Sequence, residues 1–214
     1  MRPGSRYPPL AVKVWGDFAC FTRPEMKVER VSYPVMTPSA ARGVLEAIFW
    51  KPEFTWQVEQ IRVLKEVRWF SIRRNEVNSL ASERSARGWE RDGGGYFADQ
   101  DRAQRHTLAL RDVAYVIEAQ VVPRSGRDED EVKFRDQFRR RVADGRCFSQ
   151  PYLGCREFAA FFAPPTADDQ PIDRTEDLGL MLLDLDYRED GTGTPRFFQA
   201  RLDGGVLRVP TEAA

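Results

Sequence analysis

Lys133 stands in the stretch DEDEVKFRDQFRRRV, residues 128–142, which begins with four acids and ends on three consecutive arginines. Lysine and arginine at this density grip phosphate oxygens and stabilise charge developing on a phosphoryl group. Helical spacing puts Lys133, Gln137 and Arg140 on one face with Arg139 beside them. An ordinary solvated helix, its basic end complementing the macrodipole, has the same pattern. His106 is the only histidine in the chain. Its ordinary pKa, about 6.5, suits proton transfer near neutrality. A lone histidine ahead of a strand is as readily a surface or packing residue. Tyr33, Tyr96 and Tyr152 are weaker proton carriers.

Other chemistries find little support. Cys20, Cys147 and Cys155 are odd in number, lack ligand-like spacing and have no histidine near them, so a metal site is not expected and free thiols in a reducing cytosol are. The glycines of DGGGYF are not followed by the Lys-Ser/Thr of a phosphate-binding loop, so no nucleotide cofactor is expected, and a flexing hairpin suits them better. The segment MRPGSRYPPL lacks the apolar run of a signal peptide and no window reaches membrane length, which predicts a cytoplasmic protein with no membrane partner.

The chain has 214 residues, 42% of them hydrophobic and 31% charged, enough for a real core and soluble in character. The formal net charge is zero, but residues 1–74 hold thirteen Lys/Arg against seven Asp/Glu, whereas residues 168–190 hold nine acids against two arginines. A local basic footprint for nucleic acid is compatible with that asymmetry. Arg23, Lys27 and Arg30 in the loop 22–33, and the arginines of 73–105, are candidate phosphate contacts, although acids are interleaved with them.

These residues need elements to carry them. LAVKVWGDFACF (10–21) alternates as a strand, with Val12, Val14, Phe18 and Cys20 on one face and Gly16 a bulge candidate. TPSAARGVLEAIF reads as a helix, with Thr37 the N-cap, Pro38 at the first position and Ala41, Val44, Leu45 and Ile48 as its apolar stripe. Arg42, Glu46 and Phe49 fall on the opposite face. Phe49 there would be a partly exposed ring for stacking on a base, or would pack beneath SYP. FTWQVEQIRVLKEVRWF reads as a strand, residues 73–106 as a long loop or mobile hairpin, and HTLALRDVAYVIEAQVV as the strongest strand. Residues 129–144 are helical, with Phe134, Phe138 and Val142 at steps of four. LGLMLLDLDY and RFFQARL…GGVLRVP predict a C-terminal hairpin. The fold class is α+β. A ferredoxin-like, RNA-recognition-motif-like domain over 1–146 is expected, followed by a small β-rich extension over 147–214.

Three stretches are more specific: WGDFACFTRPEMKVERVSYPVMTPSAARGVLEAIFWKP (15–52), QRHTLALRDVAYVIEA (104–119) and FRRRVADGRCFSQPYLGCREF (138–158). In order and spacing the chain resembles the CRISPR-associated RAMP (repeat-associated mysterious protein) superfamily, most nearly its subtype I-C members that process precursor CRISPR RNA. IFWKP and PYLGCREF are the distinctive marks. The resemblance implies a metal-independent endoribonuclease that cuts CRISPR repeat RNA beside its hairpin. It also implies retention of the 5′ tag with the other subunits of a type I-C interference complex. Double-stranded DNA is a further partner compatible with the basic helix.

The resemblance implies a tyrosine, a lysine and a histidine at the site. Lys133 matches the lysine; Phe49 stands at the tyrosine position and Phe134 at the histidine position. Phenylalanine carries no proton, so the charge remains without the acid and base, and His106 is the candidate replacement. Lys133 and His106 are thus the catalytic candidates. Phe49, Arg23, Lys27, Arg30, Arg42, Gln137, Arg139 and Arg140 are the RNA-binding ones. The alternative is a noncatalytic RNA-binding subunit capping the 5′ tag.

Overall fold

A computed structural model of the chain describes residues 7–26, 28–79, 82–95, 97–124, 128–188, 191 and 193–211. The first alternating segment forms β1 (Leu10–Ala19), with Leu10, Val12 and Val14 buried. The alternation slips after Gly16, where Asp17 and Phe18 both face outward. No bulge forms at Gly16: β1 keeps one register with its partner from Leu10 to Ala19, and the irregularity lies on that partner at Asp112, with φ of 55°. Gly16 instead admits a neighbour, since a Cβ there would lie 2.8 Å from Leu153 and 2.9 Å from the carbonyl oxygen of Ala159. Segment 151–160 is therefore pressed onto β1.

After the two-residue β2 (Arg30–Val31), helix α1 (Pro38–Ile48) starts as its sequence demands. The Thr37 hydroxyl accepts the Ala40 N–H at 3.3 Å, and Pro38 follows it. Ala41, Val44, Leu45 and Ile48 are buried. The helix ends at Phe49, whose backbone is extended.

β3 (Phe54–Val63) is followed by β4 (Trp69–Val77), α2 (Glu83–Asp92) and β5 (Arg102–Pro123). Where a long loop or mobile hairpin was expected over 73–106, β4 pairs with residues 102–110 of β5 and α2 crowns the resulting arm. Neither β4 nor α2 buries a residue fully, so the arm shows no apolar face from which its elements could be read. Past residue 110 β5 enters the core, with β1 on one side and β3 on the other.

Helix α3 (Asp128–Ala143) packs back on β5 and β1, and also touches α1. β6 (Phe161–Ala163), β7 (Glu176–Tyr187), β8 (Gly193–Asp203) and β9 (Val206–Arg208) complete one sheet of order β6-β1-β5-β3-β9-β8-β7. Every pair on that path is antiparallel; β2 lies parallel to β5 off the path. The C-terminal strands curl back over α1. There the Leu182 N–H donates to the Tyr33 hydroxyl at 3.2 Å, and Arg42 meets Asp184 at 2.6 Å. The fold is α+β, a curled antiparallel sheet with few helices. No helix among the described residues is long and apolar enough to cross a membrane.

The core includes an aromatic cluster where α1, β3 and α3 meet. Ring centroids lie 5.2 Å apart for Phe49–Phe54, 4.9 Å for Phe54–Phe134 and 4.7 Å for Trp56–Phe138. Each such pair is worth about 0.5–1.5 kcal/mol beyond the area it buries. Beside the cluster Arg135 is 1% exposed. Its guanidinium donates to Gln120 Oε1 at 2.9 Å and to the carbonyl oxygen of Pro8, so a buried cation ties the Tyr7–Pro8 segment to α3 and β5.

Candidate functional site

The apolar residues Phe134, Phe138 and Val142 pull one side of α3 into the core, which turns Lys133, Arg139 and Arg140 toward solvent and leaves Gln137 half-buried. Lys133 Nζ lies 6.0 Å from the Phe134 ring centroid, and the Phe134 and Phe49 centroids are 6.4 Å apart. The three positions singled out by the resemblance therefore converge. A second cation joins them: the Arg141 guanidinium sits 5.4 Å over Phe49 and donates to the Ile48 carbonyl at 3.2 Å. Two cations thus flank a pair of phenyl rings. Such a cluster can hold phosphate and stabilise charge on it, but neither ring can accept or donate a proton.

Phe49 is 2% exposed, which corrects its placement on the open face of α1. The helical wheel does not apply to it, because its extended backbone swings the ring inward against Phe54 and Phe134. No face is left for stacking on a base.

His106 is not brought to Lys133, which corrects the catalytic pairing of the two. It sits exposed in the arm half of β5, its backbone N–H donating to a Glu29 carboxylate oxygen at 2.6 Å. Phe134 packs on Phe54, which pairs with Pro123 at the far end of the same strand. Seventeen residues at about 3.3 Å per residue separate those ends by roughly 55 Å of strand. Proton transfer in a shared site needs about 3 Å.

Most of the other candidate cations are engaged within the chain. Arg23 lies 4.4 Å over the Tyr33 ring and 3.7 Å from Glu25. Arg30 meets Glu76 and Glu157, both at 3.5 Å. Arg42 bridges Glu46 at 3.0 Å and Asp184 at 2.6 Å, and Arg139 meets Asp136 at 3.0 Å. Lys133 and Arg140 make no ion pair among the described residues. Lys27 and Tyr96 lie outside the described residues. Of the remaining tyrosines considered, Tyr33 is buried, and that burial pushes its hydroxyl pKa up and away from neutrality; Tyr152 is exposed.

The thiols form a small polar knot. Cys155 lies 3.9 Å from an Arg30 nitrogen and 4.0 Å from the Thr22 hydroxyl. The Cys155 thiol donates to the Cys20 carbonyl oxygen at 3.6 Å, and contact between the two thiols holds Cys155 below its ordinary value while the same contact and burial push Cys20 up. No three His, Cys, Asp or Glu side chains that could hold a metal are grouped among the described residues.

Sequence reasoning passed over a cavity of about 650 Å³ between α1 and the segment 148–156, lined by Trp50, Phe148, Tyr152 and Arg156 among others. Trp50 and Tyr152 belong to IFWKP and PYLGCREF, the two distinctive segments, and that coincidence was the available signal.

The sequence profile of the family described as "CRISPR-associated protein (Cas_Cas5)" matches residues 9–210. The chain belongs to the Cas5 family. It is 46% identical over 217 residues to the "CRISPR pre-crRNA endoribonuclease Cas5d" of Mannheimia succiniciproducens, covering 94% of each chain. To the protein of the same name from Thermus thermophilus it is 44% identical, covering 95% of this chain and 92% of that one. A solved structure described as a CRISPR-associated protein superposes with a TM-score of 0.66 at 22% identity, covering 97% of this chain and 95% of the other. A functionally uncharacterized protein of Streptococcus mutans gives 0.65 at 20%, covering 94% and 92%. These two likenesses speak for the fold alone. In this Cas5 chain the phenylalanine pair lies within the region the family profile matches, and the cations of α3 remain its candidates for phosphate.

Proposed function

We propose that the chain is an endoribonuclease that cuts the repeats of precursor CRISPR RNA beside their hairpin, without a metal ion, and keeps the 5′ tag within a type I-C interference complex. Near-full-length likeness to two proteins named pre-crRNA endoribonucleases carries this reading. In the reaction the 2′-hydroxyl oxygen attacks the adjacent phosphorus and the bond to the 5′-oxygen breaks. A 2′,3′-cyclic phosphate and a free 5′-hydroxyl result. The proton lost by the 2′-hydroxyl returns, through solvent, to the leaving oxygen. Lys133 supplies the positive charge that the pentacoordinate phosphoryl group needs, and a fixed cation at such a centre is among the larger catalytic effects.

The strand order β6-β1-β5-β3, with α1 and α3 as its crossovers, supports a ferredoxin-like reading of the RNA-handling part. In that reading residues 1–146 bear the phosphate-facing helix and three of those four strands, and residues 147–214, the β-rich extension, lend the short fourth strand β6, in a cytoplasmic protein. The unpaired cations Lys133 and Arg140 are also compatible with a secondary contact to double-stranded DNA.

One observation favours a second reading. Phe49 and Phe134 leave the three-residue cluster without a proton carrier, which suits a noncatalytic subunit that caps the 5′ tag. Incubating the purified protein with its own host's repeat RNA in EDTA separates the two. Cleavage at one position, ending in a cyclic phosphate and lost in Lys133→Ala, supports the nuclease. Tight binding with the RNA left intact supports the cap.

A further inference from the structure

The cavity lined by Trp50, Phe148 and Tyr152 has features that the folded chain itself does not use. It opens between α1 and the segment 148–156, which are joined where the Phe148 and Ser149 N–H groups donate to the Ala47 carbonyl at 2.8 and 3.0 Å. Three aromatic rings border it, and all remain open to solvent: Trp50 is 50% exposed, Phe148 74% and Tyr152 40%. The cavity is concave and about 650 Å³ in volume, within the range of small-ligand sites. Its wall on α1 is Gly43, exposed in mid-helix, where an added Cβ would meet nothing within 4 Å. Glycine is the poorest helix former after proline, and no close approach within this chain requires it here.

The charges identify the occupant. The one acid in the wall, Glu46, is paired with Arg42 at 3.0 Å. Arg156 at the rim, and Lys51 next to Trp50, make no ion pair among the described residues. The unneutralised charge is therefore positive. Aromatic faces interleaved with free cations are what single-stranded nucleic acid needs, one for the base and the other for its phosphates.

We infer that this cavity seats one unpaired base of the RNA that the chain processes, an inference that rests on the RNA-directed reading above. The base stacks between Trp50 and Phe148, its sugar passes over Gly43, and Arg156 and Lys51 meet the flanking phosphates. A protein side chain inserted by a partner subunit would value the same rings but not the two free cations.

The test measures equilibrium binding of repeat RNA by fluorescence anisotropy, using the full chain, a series of repeats with single abasic positions outside the stem, and the variants Trp50→Ala, Phe148→Ala and Gly43→Gln. Each aromatic truncation weakens wild-type affinity about tenfold, the usual order for a stacked base. Gly43→Gln keeps or raises the melting temperature yet also weakens binding, which a folding defect cannot produce. At one abasic position the wild type loses about tenfold, whereas Trp50→Ala loses nothing further. Unchanged affinity in all three variants, with wild-type RNA binding intact, overturns the cavity assignment and leaves the RNA-directed reading standing. Absence of RNA binding by the wild type overturns both. Variants that bind RNA normally but fail to co-purify with partner subunits make the cavity a protein seat and also overturn the assignment.

Discussion

Neighbouring residues on α3 carry opposite expectations. Phe134 is 3% exposed, with Phe54 and Phe49 centroids at 4.9 and 6.4 Å. Truncating such a ring costs about 3–5 kcal/mol, through lost burial and the cavity left behind. For a chain of this length each kcal/mol moves the melting temperature by about 2–4 °C, so Phe134→Ala is expected to melt roughly 6–20 °C lower. Lys133 is exposed and reaches the Phe134 ring only at 6.0 Å, the outer limit of a cation–π contact. Its loss costs about 0.5 kcal/mol, a shift of roughly 2 °C or less. Lys133→Ala is nevertheless expected to abolish repeat cleavage. Thermal melts followed by circular dichroism, paired with single-turnover cleavage at 25 °C, read both quantities. A Lys133→Ala protein that melts as low as Phe134→Ala, or a Phe134→Ala protein that melts like wild type, would refute the division of α3 into a packed side and a charged one.

Three further outcomes follow from the geometry. Arg135→Ala leaves Gln120 Oε1 and the Pro8 carbonyl without their buried donor; it should cost about 3 kcal/mol or more and make the chain near residue 8 a new site of limited proteolysis. Hydrogen bonding from Lys13, and then from the Thr166 backbone, holds the Asp169 carboxyl below its ordinary 3.8. Its contribution is present above the usual carboxylate range and is lost as pH falls through the lower folded-state value, so urea midpoints of wild type and Asp169→Asn should differ at pH 7 and converge toward pH 2. Cys155, held below the ordinary thiol value by its contact with Cys20 and less buried than it, should be alkylated by iodoacetamide ahead of Cys20 at pH 7; mass spectrometry of the labelled peptides reads this directly.

What could be read beforehand depended on how local its cause was. Helix α1 was legible because Thr37, Pro38 and the stripe from Ala41 to Ile48 are all local signals, and the C-terminal hairpin because its two strands are rich in apolar residues and β8 alternates. Of the two readings of Phe49, packing held, though against Phe54 and Phe134, and the outward one failed for a local reason: the helix ends one residue before it, and extrapolating the wheel turned its ring outward. The arm was legible only as a loop or hairpin, because neither face of β4 or α2 is fully buried and its polar, arginine-rich sequence carries no apolar stripe. The curl of the sheet over α1 depends on Tyr33 meeting Leu182, 149 positions away, and no local pattern announces that contact. Within the candidate site the charge of Lys133 was legible, but its nearness to Phe49 came only through the family resemblance. His106 was separated from Lys133 by nothing more than the length of β5, which a list of candidate residues does not reveal. The cavity escaped because its rings come from segments about a hundred residues apart.

The sheet order also sets a timetable. Gln60, Ile61 and Arg62 of β3 find their outer neighbours only in Arg208, Leu207 and Val206, about 145 residues later. At about 5–20 residues per second a ribosome takes roughly 7–30 s to cover that distance. During that interval β5, α3 and the strands after them are added to the core while the outer edge of β3 waits unpaired, the condition under which chains pair with one another instead. Glu59, Gln60 and Arg62 place polar side chains along that waiting edge and discourage such pairing. The short β9 thus does more for the yield of folded protein than its three residues suggest, and shortening the chain before residue 206 would leave the edge open permanently.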